Sequence, residues 1–380
     1  MLTAETVRPS DLGPRDLAAW AALRDSAEAF QSPLLGPDFA RAVGRVRSDA
    51  AVAVIRRDGR AIGFLPHHRR PGGLARPIGA PLSDYHALIA EPGLSGLEAM
   101  RLGGLREYRF SGLIDPHGAF PRASGSTALV DAHAIAIGPG ADAGAEHLET
   151  LRSASAKRFK NLRRIDHKLE REMGPVALVG PDRDPAVFAA LMSWKRAQFR
   201  RTGLTDVFAA EWIHRLVRRL FDDGEGRLSG LMITLQVSGR PAAAHFGVRE
   251  GDRYHPWIAS HDPALDAYSP GQVFLWRAIE AMPALGLRWY DLAAGHDHYK
   301  IPYASRTLQL AEGRLRTVPG LDAEAWRLAE TVFGVGGVSR ARRRLDQIAA
   351  VELTFEGRLR SMVEAVATHG RREASRPLRS

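Results

Sequence analysis

Three apolar runs in close succession do most to limit what this chain can fold into. Leu228 to Val237, Pro241 to Arg249 and Tyr254 to Ala259 each have the length and the apolar or aromatic content of a strand. Ser238-Gly239 and Gly251-Asp252 separate them, and such pairs supply the turns of antiparallel hairpins. The third run leads through Tyr268-Ser269-Pro270-Gly271 into Gln272 to Met282, which reads as a helix. Ser269 can cap that helix, Pro270 suits its first turn, and Gly271 and Gln272 leave the backbone open to a ligand. The unpaired N–H groups of such a helix start can hold a pyrophosphate, although many starts of this kind are only structural.

The rest of the chain alternates in the same way. Residues 1–8, Ala51 to Ile55, Ala61 to Leu65 and Glu107 to Leu113 read as strands, with Asp58-Gly59 as a hairpin turn. Leu12 to Ala29, Phe39 to Val46 behind a capping Asp38, and Leu94 to Leu102 read as helices. In residues 151–173, Phe159, Leu162, Ile165, Leu169 and Met173 recur at steps of three or four, so one amphipathic helix is expected. Val176 to Val179 is a strand, Pro185 to Arg201 and Ala209 to Phe221 are helices, and Leu287 to Leu292 and Leu308 to Leu315 are the last strands. Strand, helix, hairpin and loop follow the same order twice, which permits a duplicated α/β fold. Domains at 1–145 and 146–318 are expected, then a basic helical tail at 319–380 with its last ten or so residues disordered.

The 380 residues contain no cysteine, which removes thiol catalysis, Fe–S clusters and thiolate zinc sites. There are 53 basic and 43 acidic residues, a net charge of +10 that favours anionic partners such as CoA, nucleotides or an acidic membrane. Only five of the cations are lysines: Lys157, Lys160, Lys168, Lys195 and Lys300. The start of the chain has no apolar signal segment, and no run of about 18 apolar residues occurs. The expected location is the cytoplasm.

Phe64-Leu-Pro66, Pro81-Leu-Ser-Asp-Tyr-His86, Ser155 to Arg164, Ala243-Ala-His-Phe-Gly247, Tyr268 to Gly271 and Tyr290 to Lys300 stand together in order and spacing. They resemble the CelD-like acetyltransferases, relatives of the Fem-type peptidoglycan transferases, over about residues 1–318. The resemblance implies two Gcn5-related N-acetyltransferase (GNAT) folds in tandem and acetyl-CoA as co-substrate. It also implies a role in making a bacterial polysaccharide such as cellulose, exopolysaccharide or holdfast.

Acyl transfer to an amine needs a neutral nitrogen, a route for its proton and a donor to the oxyanion. Asp291, at the end of Leu287-Arg-Trp-Tyr290, is the first candidate for base or acceptor-orienting group; the alternative is a turn cap. The resemblance places a Tyr-Lys pair at Tyr299-Lys300, and Lys300 can hold a phosphate or carboxylate of the acceptor. His255 and Trp257 share a strand face and, with Tyr268, could make an aromatic wall for a sugar. Asp84, Tyr85 and His86 are candidates to face the acceptor from a loop. His245 reads as a hydrogen-bonded core histidine. His296, Asp297 and His298 alternate faces and cannot all reach one ion without a sharp turn, so no metal is expected.

Eight cations interrupt the apolar stripe of the 151–173 helix, which reads as a solvated face, an anion-gathering face or an RNA contact. Arg340-Ala-Arg-Arg-Arg344 precedes an amphipathic segment, a pattern suited to peripheral membrane contact. Arg340 and Arg344 also have the spacing seen in PilZ-type cyclic di-GMP receptors, without the rest of that motif. The expected function is an acyl-CoA-dependent N-acyltransferase acting on an amino sugar of a polysaccharide or of its sugar-nucleotide or lipid-linked precursor. The alternatives are an aminoacyl-tRNA-dependent Fem-type transferase and a nucleotide-responsive regulator without activity.

Overall fold

The computed structural model describes residues 1–120, 127–202, 204, 206–294 and 300–317. The expected tail at 319–380, with Arg340 and Arg344, lies outside them. So do His296, Asp297, His298 and Tyr299.

In the first half, strand β1 (Leu2–Val7) is followed by helix α1 (Pro14–Asp25) and helix α2 (Pro37–Gly44). Strands β2 (Ala50–Arg57) and β3 (Arg60–Arg69) form the hairpin closed at Asp58-Gly59, both with positive φ. Then come β4 (Leu74–Pro77), β5 (Ile89–Ala90), α3 (Gly96–Leu102) and β6 (Glu107–Leu113). The second half has β7 (Thr127–Ala136), α4 (Ala143–Ala154), α5 (Ala156–Met173), β8 (Val176–Val179), α6 (Pro185–Thr202) and α7 (Glu211–Asp222). It ends with β9 (Leu228–Val237), β10 (Arg240–Glu250), β11 (Arg253–His261), α8 (Pro270–Ala281), β12 (Trp289–Ala294) and β13 (Arg306–Arg316). Strand β7 lies before residue 146 and is counted with this half because its partners are β12 and β13.

All of these strands join one sheet in the order β1-β2-β3-β4-β6-β13-β7-β12-β11-β10-β9-β8, with β5 beside β3. Strand β13 therefore does not stay with its own half. It pairs with β6 on one side and β7 on the other and welds the halves together. The core is shared too: one cluster packs Trp20, Phe39 and Phe64 of the first half with Trp212, Phe246 and Ile258 of the second. A second cluster, with Phe159, Phe274 and Tyr290, lies on the opposite face under α8.

Three local expectations need correction. The 151–173 helix is broken: Ser155 (φ −149°, ψ 62°) ends α4 and starts α5. The helical chain begins earlier, at Ala143, because α4 packs closely on α8. A Cβ at Gly144 would lie 2.4 Å from the Ile279 carbonyl oxygen. The bend then lets Phe159, Leu162 and Leu169 reach the core, while Met173 is left exposed. Asp38 does not cap α2. Gly36 holds that position, Pro37 starts the helix, and the Asp38 carboxylate accepts the Arg227 N–H at 2.8 Å. The first long helix is shorter than its pattern, ending at Asp25 before a 3-10 turn at Glu28–Gln31.

Candidate active site

Parallel strands β11 and β12 pair only at Arg253↔Trp289 and Tyr254↔Tyr290. Beyond those two pairs they part, and among the described residues no strand pairs with the edge of β11 that faces β12. Helix α8 starts after the open end of this gap. Ser269 there sits in the left-handed region (φ 49°), and its side chain caps nothing, so the expected cap is corrected. Its carbonyl takes the Gln272 N–H at 2.9 Å. A Cβ at Gly271 would meet only His261 Nδ1, 3.9 Å away, so the first turn of α8 is open to an approaching group. Pro270 has no N–H, and the Gln272 and Val273 N–H groups turn back to the Ser269 carbonyl, so the Gly271 N–H is the donor this first turn leaves for a ligand. With the helix dipole behind it, that opening suits a phosphate group. The residues therefore fit a CoA thioester running from α8 into the gap.

The first half has the same parting of strands, but it is filled. Strands β4 and β6 pair only at Leu74↔Glu107 and Ala75↔Tyr108. The loop after β4 enters that space, and His86 bridges to Leu113. A Cβ at Gly112 would lie 1.9 Å from the Asp84 carbonyl oxygen, so only glycine admits the loop. This loop carries Asp84 and Tyr85 across to the second half.

There they meet His255 and Asp291 at the closed end of the gap. The Tyr85 hydroxyl donates to Asp291 Oδ1 at 2.7 Å. His255 Nε2–H donates to Asp84 Oδ2 at 2.8 Å, and Nδ1 lies 3.5 Å from Asp291 Oδ2. That second contact is an ion pair without hydrogen-bond geometry. The Ala293 N–H donates to Asp291 at 2.7 Å. Asp291 and the His255 ring are buried, whereas the Asp84 side chain is 38% exposed. Burial opposes a charge on His255, but Asp291 and then Asp84 outweigh it and raise its pKa to about 10. Burial pushes Asp291 up, yet His255, Tyr85 and the Ala293 N–H hold it below the usual carboxylate range. Burial, then Asp291, pushes Tyr85 well above the usual phenol range. The result is a buried imidazolium between two carboxylates.

Of the roles expected of Asp291, this arrangement disfavours the base, leaves the acceptor-orienting group open, and includes the turn cap through the Ala293 N–H. A buried carboxylate with a lowered pKa and both oxygens engaged is a poor proton acceptor. The same arrangement corrects the aromatic wall. Tyr268 stands apart, its hydroxyl on Glu172 at 3.1 Å and Lys168 Nζ 5.2 Å from its ring centre. Trp257 packs on Phe39, and its buried indole N–H has no partner among the described residues. His86 stays in the first half, with Nδ1 3.1 Å from Ser83 Oγ. Burial lowers its pKa to about 3.

On the α8 face, His245 Nδ1 lies 2.6 Å from the Tyr290 hydroxyl, and its ring stacks on Phe274. Burial, then Lys300 and Lys195, keeps it neutral, well below its usual pKa. Lys300 precedes the 3-10 turn Ile301–Tyr303. Lys195 Nζ donates to the Ala259 carbonyl at 3.3 Å, and Ala259 is the register partner of His245. Sequence reasoning passed over Lys195. Its helix carries no motif, and the rarity of lysine in the chain was the available signal.

Residues 156–301 match the family described as acetyltransferase (GNAT) domain. None of the curated proteins is similar enough to match. Among solved structures, the chain resembles FemX at 9% identity and a TM-score of 0.50, over 86% of this chain and 100% of that one. It also resembles a tandem GNAT protein from the clavulanic acid biosynthesis pathway, at 12% identity and a TM-score of 0.43, over 84% and 100% of the two chains. A conserved protein of unknown function from Bacteroides thetaiotaomicron gives 11% identity and 0.49, over 83% and 100%. The fold is α/β of the GNAT type in a FemX-like arrangement, and the match to an acetyltransferase domain falls on residues 156–301. Among the described residues, no helix is long and apolar enough to cross a membrane, and no group of three or more His, Asp or Glu is placed to hold a metal.

Proposed function

We propose that the protein is an acyl-CoA-dependent N-acyltransferase whose site is the gap between β11 and β12. The parting of these strands beside the open start of α8 carries this reading. Acetyl-CoA is the donor, with its pyrophosphate against Ser269, Gly271 and Gln272 and its thioester in the gap. The acceptor amine attacks the thioester carbonyl carbon, a C–N bond forms, and the carbonyl pair moves to oxygen. The nitrogen gives up a proton to solvent, directly or through a carboxylate, the oxyanion pair returns to re-form the carbonyl as the C–S bond breaks, and the thiolate takes a proton from water. No covalent enzyme intermediate is needed, and the chain has no cysteine to form one.

The acceptor we favour is an amino sugar of an extracellular polysaccharide or of its precursor, following the resemblance to CelD-like enzymes. Lys300, with Tyr299, would hold an acidic group of that acceptor. The tail with Arg340 and Arg344 would regulate the enzyme through cyclic di-GMP or an anionic membrane surface. Calorimetric titration with acetyl-CoA tests the donor. Micromolar binding supports the reading, and no binding at millimolar coenzyme overturns it.

One observation favours a second donor. Arg152, Lys160, Arg163, Arg164 and Arg171 line a concavity of about 770 Å³ on the outer face of α4 and α5. A polyanion such as aminoacyl-tRNA suits that surface. Salt-sensitive tRNA binding without acetyl-CoA binding would replace the first reading by this one.

A further inference from the structure

The charged chain at the closed end of the gap is unusual in where its parts come from. Asp84 and Tyr85 belong to the first half, and His255 and Asp291 to the second. Three of the four are buried and bonded inward. Asp84 alone reaches solvent, at 38% exposure, and only its Oδ2 is bonded to His255. Two residues along β11, at a bulge where its register with β10 shifts, Trp257 packs on Phe39, and its indole N–H is buried with no partner among the described residues. A buried donor of that kind ordinarily has an acceptor atom. One end of the gap thus offers an anchored, partly exposed carboxylate with one oxygen bonded to His255, the complement of a cation.

We infer that Asp84 is an ammonium subsite. It receives the primary amine of the acceptor, and His255, whose Nε2 lies 2.8 Å from Asp84 Oδ2, is the positioning residue that fixes the carboxylate. This rests on the acyltransferase reading for its chemistry but not for its binding. His255 is held by Asp291, and Asp291 by Tyr85, Trp289 and the Ala293 N–H. Arg253, stacked on Trp289 and bonded to Gln31, is another cation at this end, and Asp291 is among the charges that act on it. A fixed carboxylate also suits the proton transfers. The bound ammonium first gives one proton to Asp84 Oδ1, which passes it to water because this side chain is partly exposed, and the neutral amine then attacks. The N–H of the adduct is strongly acidic, and the regenerated carboxylate takes that second proton before the C–S bond breaks. The inference restricts the acceptors to amines and disfavours hydroxyl nucleophiles, which bring no cation to the subsite.

The test uses the full-length protein and two probes, glucosamine and N-acetylglucosamine, which differ in the charge on nitrogen. At pH 7, binding followed by NMR should favour glucosamine by about tenfold or more, the scale of a charged hydrogen bond. Asp84→Asn should abolish that preference, and Asp84→Glu should restore part of it. In a His255→Gln variant the preference should shrink while acetyl-CoA affinity stays the same. Equal binding of the two sugars by the wild type, or an unchanged preference in Asp84→Asn, overturns the subsite. Failure to bind acetyl-CoA while the glucosamine preference persists would instead sink the donor assignment and leave the subsite standing.

Discussion

His255 shows how much a single side chain can depend on two others. Its imidazolium lies out of water between Asp291 and Asp84, and the strong Asp291 field is what keeps it charged. Breaking a buried pair from one side typically costs about 3–5 kcal/mol, because the remaining charge has no partner. His255→Leu should therefore destabilise strongly in urea unfolding, and a His255→Leu/Asp291→Leu double variant should recover part of the loss. The pH dependence has a definite sign. The folded pKa, about 10, is above the unfolded value of about 6.5, so the contribution is complete below pH ~6.5 and declines as pH rises toward 10. Urea midpoints measured at pH 6, 8 and 10 should fall more steeply for the wild type than for His255→Gln. None of this was legible in sequence. Asp84, Tyr85, His255 and Asp291 all stood among the candidates, but each was weighed with its own neighbours in the chain. Asp84 and Asp291 are more than two hundred residues apart, so their common partner could not be seen.

Helix starts and strand ends decide the chemistry at the next scale. The hairpins β9–β10–β11 and helix α8 fall within a few residues of where apolar runs and turn residues put them. Those elements are long and strongly patterned, so local physics determines them. The break at Ser155 was missed because α5 alone satisfies the helical period, and it takes α8, far along the chain, to show that α4 must turn. Gly271 offers a clean test at this scale. Nothing lies within 3.9 Å of an added Cβ, so Gly271→Glu should leave the fold intact. Its carboxylate would meet the phosphate groups at the start of α8, and acetyl-CoA binding should fall at least about tenfold by calorimetry. Gly144→Val makes the opposite case. Its side chain would strike the Ile279 and Glu280 carbonyls, and a loss of about 1–3 kcal/mol is expected from overpacking, seen as a lower melting temperature.

The whole molecule is held as one body by contacts that cross from half to half. Arg24 grips Glu250 through both oxygens, at 2.7 and 3.0 Å, with both side chains 10% exposed. Arg45 holds Glu225, and Tyr85 and Asp84 reach Asp291 and His255. With a shared core and a continuous sheet, calorimetric unfolding should show a single transition. Two resolved transitions would mean that the halves are stable alone. A duplicated α/β plan was readable from the repeated order of elements. The exchange of β13 was not, because a strand's pattern says which of its faces is buried and not which neighbour it pairs with.

That exchange bears on how the chain leaves the ribosome. Strand β6 is complete at Leu113, but its outer edge waits for β13, which begins at Arg306. Domains that emerge early ordinarily fold as they are made. Here the first half must hold an unpaired strand edge in reserve until nearly all of the described chain has been synthesised. Open edges of this kind recruit other strands. Translation arrested before Arg306 should therefore leave a nascent chain that is prone to aggregate and bound by chaperones. Release to a protease-resistant state should come only when the last strand has emerged from the exit tunnel.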